Sequence, residues 1–122
     1  MNNTVLCIGS NTPNRGDIIN TVISRIGRVM QNLRQSTVYE CESHSGIGSS
    51  YFNTVVKCDT QLSYEQIYAF TKAMELEMGR TPQSKETGVM PHDIDIVLWN
   101  NKVMHPHDFE LYHFIHGYEQ IL

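Results

Sequence analysis

Hydrophobic and polar positions along the chain change period several times, and each change marks an element. Val5 to Ile8 is a short apolar run that stops at Gly9-Ser10-Asn11, which predicts a strand. Thr12, Pro13, Asn14 and Gly16 then make a loop. Ile18, Ile19, Val22, Ile23, Ile26, Val29, Met30 and Leu33 recur at helical spacing and predict a helix with one apolar face. From Ser36 the period is two. Thr37 to Glu42 reads as a strand, Ser43 to Ser50 as a polar, glycine-bearing loop, and Tyr51 to Cys58 as another strand. Ser63-x-x-Gln66 is a capping box. It opens a helix with the stripe Ile67, Phe70, Met74 and Met78, closed by Gly79. Arg80 to Pro91 is a long loop, of a length that is usually functional or mobile. Asp93 to Trp99 is the strongest strand signal, Asn100-Asn101 a tight turn into Lys102 to Met104, and a short helix is expected around His116 to Leu122.

The order is β-α-β-β-α-β with a short extra strand. It predicts an α+β domain of ferredoxin-like type, with an antiparallel sheet, both main helices on one face and the other face open. The 122 residues make one domain, 1–122.

Strand parity assigns side chains to the two faces. Ile94, Ile96 and Leu98 are expected under the helices, with Asp93, Asp95, Val97 and Trp99 opposite. Phe52, Thr54, Val56 and Cys58 suit the helix side, so Tyr51, Asn53 and Val55 point to the open side. Two carboxylates, an amide and an aromatic ring thus converge on one sheet face. Acids at i and i+2 on a strand sit about 6–7 Å apart at Cα on the same side. Their repulsion is relieved by a divalent cation; Mg²⁺ is typically held by one or two carboxylates with phosphates and waters. A solvated acidic strand face is the alternative.

Charge narrows the partners. The net charge of −4 lacks the basic excess that grips nucleic-acid phosphates. Tyr51 and Trp99 could stack bases on a sheet, but the acidic sheet centre opposes it. Three cysteines, Cys7, Cys41 and Cys58, form no CxxC pair and read as free thiols of a reducing compartment. The opening MNNTVLCIGSN lacks the basic region and apolar length of a signal peptide, and no run approaches ~18 apolar residues. A cytoplasmic location without a membrane span is therefore expected. His105-x-His107 and His113-x-x-His116 have no partner cysteines and no HExxH spacing, so zinc is not the expected reading. Cys41 has nothing nearby that would lower its pKa and make it a nucleophile.

Several segments together resemble 6-hydroxymethyl-7,8-dihydropterin pyrophosphokinases, nearly end to end. They are Ile8 to Asn11 (IGSN), Thr37 to Glu40 (TVYE), Tyr51-Phe52-Asn53, Glu75 to Arg80 (ELEMGR) and Asp93-Ile94-Asp95-Ile96 at the family's distance from Arg80. The resemblance implies the ferredoxin-like fold and passage of the β,γ-pyrophosphoryl group of ATP to the pterin hydroxymethyl oxygen, leaving AMP. It implies two Mg²⁺ ions on Asp93 and Asp95, with Asp95 also helping the hydroxyl lose its proton. Asn53, with Tyr51 beside it, and Phe114 take the pterin-binding positions. Glu75, Arg80 and His107 take positions near the nucleotide, with Arg80 also counted among the catalytic groups.

The loop departs from the family pattern, approximately GRxRxxxRWGPRTxDxD. Three arginines are replaced by Pro82, Glu86 and Met90, and the tryptophan by Thr87. Arginine holds transferring phosphate by planar, permanently charged contacts that methionine cannot make. Losing one such contact can cost about 10²–10³ in rate, by analogy with an oxyanion-hole donor. Lys85, in the same loop, could compensate in part. Two readings follow: a Mg²⁺- and ATP-dependent pyrophosphokinase, which is favoured, or a relative that binds a pterin or nucleotide without transfer. Oligomeric state is not legible.

Overall fold

The computed structural model describes residues 1–42, 50–77, 79 and 93–122. The strands are β1 (Asn2–Ser10), β2 (Gln31–Gln35), β3 (Tyr39–Cys41), β4 (Tyr51–Thr60), β5 (Asp93–Trp99) and β6 (Lys102–Val103). The helices are α1 (Arg15–Val29), α2 (Tyr64–Glu77), α3 (Pro106–Phe109) and α4 (Tyr112–Ile121). The sheet runs β2-β4-β1-β5-β6, with β3 also on β4, and every pairing is antiparallel. β2 and β3 lie in succession along one edge of β4, bridged by Ser36, whose N–H reaches Val55 O and whose Oγ accepts from Val55 N. The arrangement is that of a ferredoxin-like α+β fold, as the element order predicts.

One face carries α1 and α2. Ile18, Ile19, Val22 and Ile26 of α1 and Ile67 and Met74 of α2 bury against Leu6, Ile8, Val56, Cys58, Ile94 and Ile96. The capping box forms in both directions: Ser63 N donates to Gln66 Oε1 at 2.9 Å and Gln66 N to Ser63 Oγ at 3.2 Å. Asn100 and Asn101 both adopt positive φ, 50° and 67°, the conformation a two-residue hairpin turn needs.

Three expectations are corrected. First, α1 stops at Val29, and Gln31–Gln35 is a strand on β4, not a further helical turn. Met30 is extended and Asn32 has φ 54°, which a right-handed helix cannot pass through. Asn32 Nδ2 donates to Asp59 Oδ2 and anchors the new strand. Second, a register shift opposite Val5 and Leu6 pairs Val5 with Leu98 and Leu6 with Ile96, leaving Val97 as an extra residue. A bulge of this kind reverses the alternation beyond it. Leu98 therefore joins Val97 on the second face, while Trp99 turns to the helix side and meets Tyr64 edge-on at 5.6 Å.

Third, the second face is not open along its whole length. The terminal helix begins at Tyr112, earlier than the apolar pattern suggests, and α4 lies across β4. Phe114 and Ile121 close a second core with Val5, Cys7, Val55, Val97 and Leu98. Tyr39 Oη and the Cys7 thiol both donate to the carbonyl of His113, tying the start of α4 to the sheet. Only a glycine permits the contact at position 117, because a Cβ there would sit 2.6 Å from both Val55 Cγ2 and Tyr39 Oη. Alanine is the better helix former by about 1 kcal/mol, but overpacking costs about 1–3 kcal/mol. We expect Gly117→Ala to lower stability by about 1 kcal/mol or more, seen as a lower urea midpoint with an unchanged m-value.

Candidate active site

α4 covers one half of the second face and leaves the other half as a cleft of about 210 Å³. It is lined by Cys7 and Gly9 of β1, Cys41 and Glu42 at the end of β3, Tyr51 and Asn53 of β4, Asp93 and Asp95 of β5, and Asp108 and His113. Sheet register explains the grouping. β1 is central, so Gly9 lies between Asn53 and Asp93, and Cys7 between Val55 and Asp95. All of these point to the same face by parity.

Gly9 is a spatial requirement. A Cβ there would stand 2.7 Å from Asn53 Oδ1 and 3.4 Å from the Tyr51 ring. The missing side chain lets the Asn53 amide lean over β1 toward the aspartates. Asn53 is 5% exposed and also hydrogen-bonds the Cys41 thiol. Burial nevertheless pushes that thiol above its ordinary value, which fits the expectation that Cys41 is no activated nucleophile. Cys7, Cys41 and Cys58 are all free, and burial raises the other two thiols as well.

Glu75 holds the aspartate pair from the far side of the sheet. It is 3% exposed, accepts from Ile94 N at 2.9 Å, and pairs with Lys72 Nζ at 3.1 Å. Ile94 is the residue between the two aspartates, so this buried carboxylate fixes the strand entry that carries them. Glu75 thus bonds the β5 backbone, on the helix side.

Asp95 is the most perturbed acid of the cleft. Its carboxyl is raised to about 8, first by burial, then by the charges of Asp93 and Asp108, with a hydrogen bond to Asp93 adding to the rise. A group so disposed gives up its proton when a cation arrives. The donors are hard carboxylate oxygens on one face, and they fit Mg²⁺. No described helix is long and apolar enough to cross a membrane.

A model of the 7,8-dihydro-6-hydroxymethylpterin-pyrophosphokinase family matches residues 5–117 of the chain. The chain belongs to this pyrophosphokinase family. The expected site residues now fall into groups. Tyr51, Asn53, Asp93 and Asp95 meet in the cleft. Phe114, expected against the pterin, is 0% exposed in a ring cluster with Phe109 and Tyr118 and does not line the cleft. His107 is exposed on α3 and also lies outside the lining. Arg80 and Lys85 lie outside the described residues. Pattern reading missed Asp108 and His113 as lining residues, because they arrive from a segment with weak periodicity. Cys7 and Gly9 were within reach, since both share the parity of the open face on β1.

The proton on Asp95 links stability to pH. Between the ordinary value of 3.8 and about 8, the folded chain keeps a proton that the unfolded chain has lost. The group's contribution is therefore full below that window and falls as pH rises through it. Asparagine removes the charge and keeps the shape. With chelator present, Asp95→Asn is expected to stabilise the fold by on the order of 1–3 kcal/mol at about pH 8.5 and hardly at all at about pH 4. Urea melts at the two pH values check this.

Proposed function

We propose that the chain transfers pyrophosphate from ATP to 6-hydroxymethyl-7,8-dihydropterin, releasing AMP, with Mg²⁺ held at Asp93 and Asp95. The observation that carries this reading is the convergence of Asn53, Tyr51, Asp93 and Asp95 on one cleft across a glycine. Membership in the pyrophosphokinase family supports it and favours pterin and ATP as the substrates.

The division of labour follows from the residue types. Asn53 offers both a donor and an acceptor, which suits the edge of a bicyclic amide such as a pterin. Tyr51 beside it supplies a flat apolar surface. Asp93 and Asp95 carry the charge that would bind Mg²⁺, which supplies neutralisation of the phosphates in transfer. Asp95 is also assigned to take the proton of the hydroxymethyl group, in the ionised form that a bound cation would favour. Arg80 and Lys85 are assigned to the nucleotide. The replacement of three loop arginines by Pro82, Glu86 and Met90 favours a second reading, in which the same cleft binds its ligands without transferring pyrophosphate.

The decisive assay incubates the protein with ATP, Mg²⁺ and the pterin and follows AMP by chromatography. Pterin-dependent AMP is expected, reduced at least about 10³-fold in the Asp93→Ala/Asp95→Ala double variant. Calorimetric binding of pterin or Mg-nucleotide without AMP would instead establish the second reading. Gly9→Ala tests the pterin side alone. The added Cβ is expected to displace the Asn53 amide and weaken pterin affinity by about tenfold, the loss of about one hydrogen bond. Mg-ATP affinity should change little; calorimetry with each ligand separates the two.

A further inference from the structure

The cleft carries more negative charge than its proposed magnesium pair accounts for. Glu42, Asp93, Asp95 and Asp108 all line it, and no Lys or Arg does so among the described residues. Lys72, the cation that acts on Asp95 across the strand, is already paired with Glu75. Asp108 is the residue with no counterpart in the sequence reading. It reaches the cleft because α3 folds back under β5, and it brings histidines with it. His105 Nδ1 lies 3.4 Å from Asp108 Oδ2, and His113 Nε2 lies 3.6 Å from Asp108 Oδ1.

Asp95, His105 and Asp108 each present one donor atom, and the three atoms lie within 4.8 Å of one another. A metal with bonds of about 2.0–2.1 Å in tetrahedral geometry sets its donors about 3.4 Å apart. The His105–Asp108 pair already stands at that separation. All three residues are half-buried, so their side chains retain freedom to close the remaining edges. The donors come from β5, from the turn before α3 and from α3 itself, so the position is held by the fold and not by one flexible loop.

We propose that Asp95, His105 and Asp108 form a mixed nitrogen–oxygen site for a transition-metal dication of the Mn²⁺, Co²⁺ or Zn²⁺ class, which shares Asp95 with the Asp93/Asp95 pair and differs from it by His105 and Asp108. The imidazole sets the class. Mg²⁺ favours oxygen donors and keeps its waters, whereas imidazole with carboxylates suits zinc, cobalt and manganese. The acids lining the cleft supply the attraction, and His105 supplies the selection. The site requires neither pterin nor ATP, so failure of the transfer assay leaves it standing, and its own failure leaves that assay untouched. Asp95 belongs to both donor sets, so the two occupancies are coupled.

The test uses the whole chain without nucleotide. Co²⁺ is titrated into the apoprotein and followed by its visible absorption, with Zn²⁺ and Mg²⁺ as competitors. One equivalent of Co²⁺ is expected to bind, to be displaced by stoichiometric Zn²⁺, and to resist a large excess of Mg²⁺. His105→Ala and Asp108→Asn should each weaken Co²⁺ by about tenfold or more. Asp93→Asn should retain Co²⁺ to within about threefold. Circular dichroism confirms that each variant is folded, and His105→Gln serves if His105→Ala is not. Affinity unchanged in both the His105 and Asp108 variants overturns the site. So does loss of Co²⁺ in Asp93→Asn as complete as in His105→Ala, which would place the cation on the strand pair. Absence of Co²⁺ binding to the wild-type chain at millimolar concentration overturns it outright.

Discussion

The structure depends on β1 being hydrogen-bonded along both edges. Its register with β4 and β5 decides which residues meet across it, and both of its faces are buried. On one face Leu6 and Ile8 anchor the core beneath α1 and α2. On the other, Val5 and Cys7 anchor the core beneath α4, and Gly9 ends that row with an absence of side chain. The cleft exists because the apolar row on this face gives way to a glycine where Asn53 and the aspartates arrive from either side. A slip of one residue in the β1–β5 pairing would turn the aspartates toward α1 and α2 and bury them without a cation, and a slip in the β1–β4 pairing would turn Tyr51 and Asn53 the same way.

That geometry carries an electrostatic cost. Carboxylates placed in a half-buried cleft repel one another and lose hydration, and both effects push the Asp95 carboxyl above its ordinary value. Glu75 is the contrasting case. It is more deeply buried, yet its oxygens have the Ile94 N–H and the Lys72 ammonium as partners. One buried acid meets a backbone donor and an ammonium and stabilises the strand entry; the other has a second acid as its hydrogen-bond partner and faces the cleft. The difference between them separates scaffold from site.

Much of this was legible because it is local. Alternation along Tyr51 to Cys58 put Tyr51, Asn53 and Val55 on one face, and the structure agrees. The capping box at Ser63 and Gln66 and the Asn100-Asn101 turn formed as read, since both are hydrogen-bonding patterns closed within a few residues. Leu98 and Trp99 were misassigned because a bulge is set by the partner strand, and nothing in DIDIVLW marks where β1 will skip a residue. The strand at Gln31 to Gln35 was masked by Met30 and Leu33, which continue the spacing of α1 while pairing with β4 overrides it.

By itself the sequence determined the faces of Tyr51 to Cys58 and of Asp93 to Ile96, the start of α2 at its capping box and the DxD pair, because each rests on neighbours within one turn or one pleat, and the family because several such segments occur together along the chain. Only the tertiary structure decided that α4 closes half of the second face, that Phe114 is core, and that Asp108, His105 and His113 stand beside the strand aspartates. Those contacts join segments whose own patterns are weak. Their positions follow from how α3 and α4 fold back over the sheet, and a contact of that kind leaves no period in the chain.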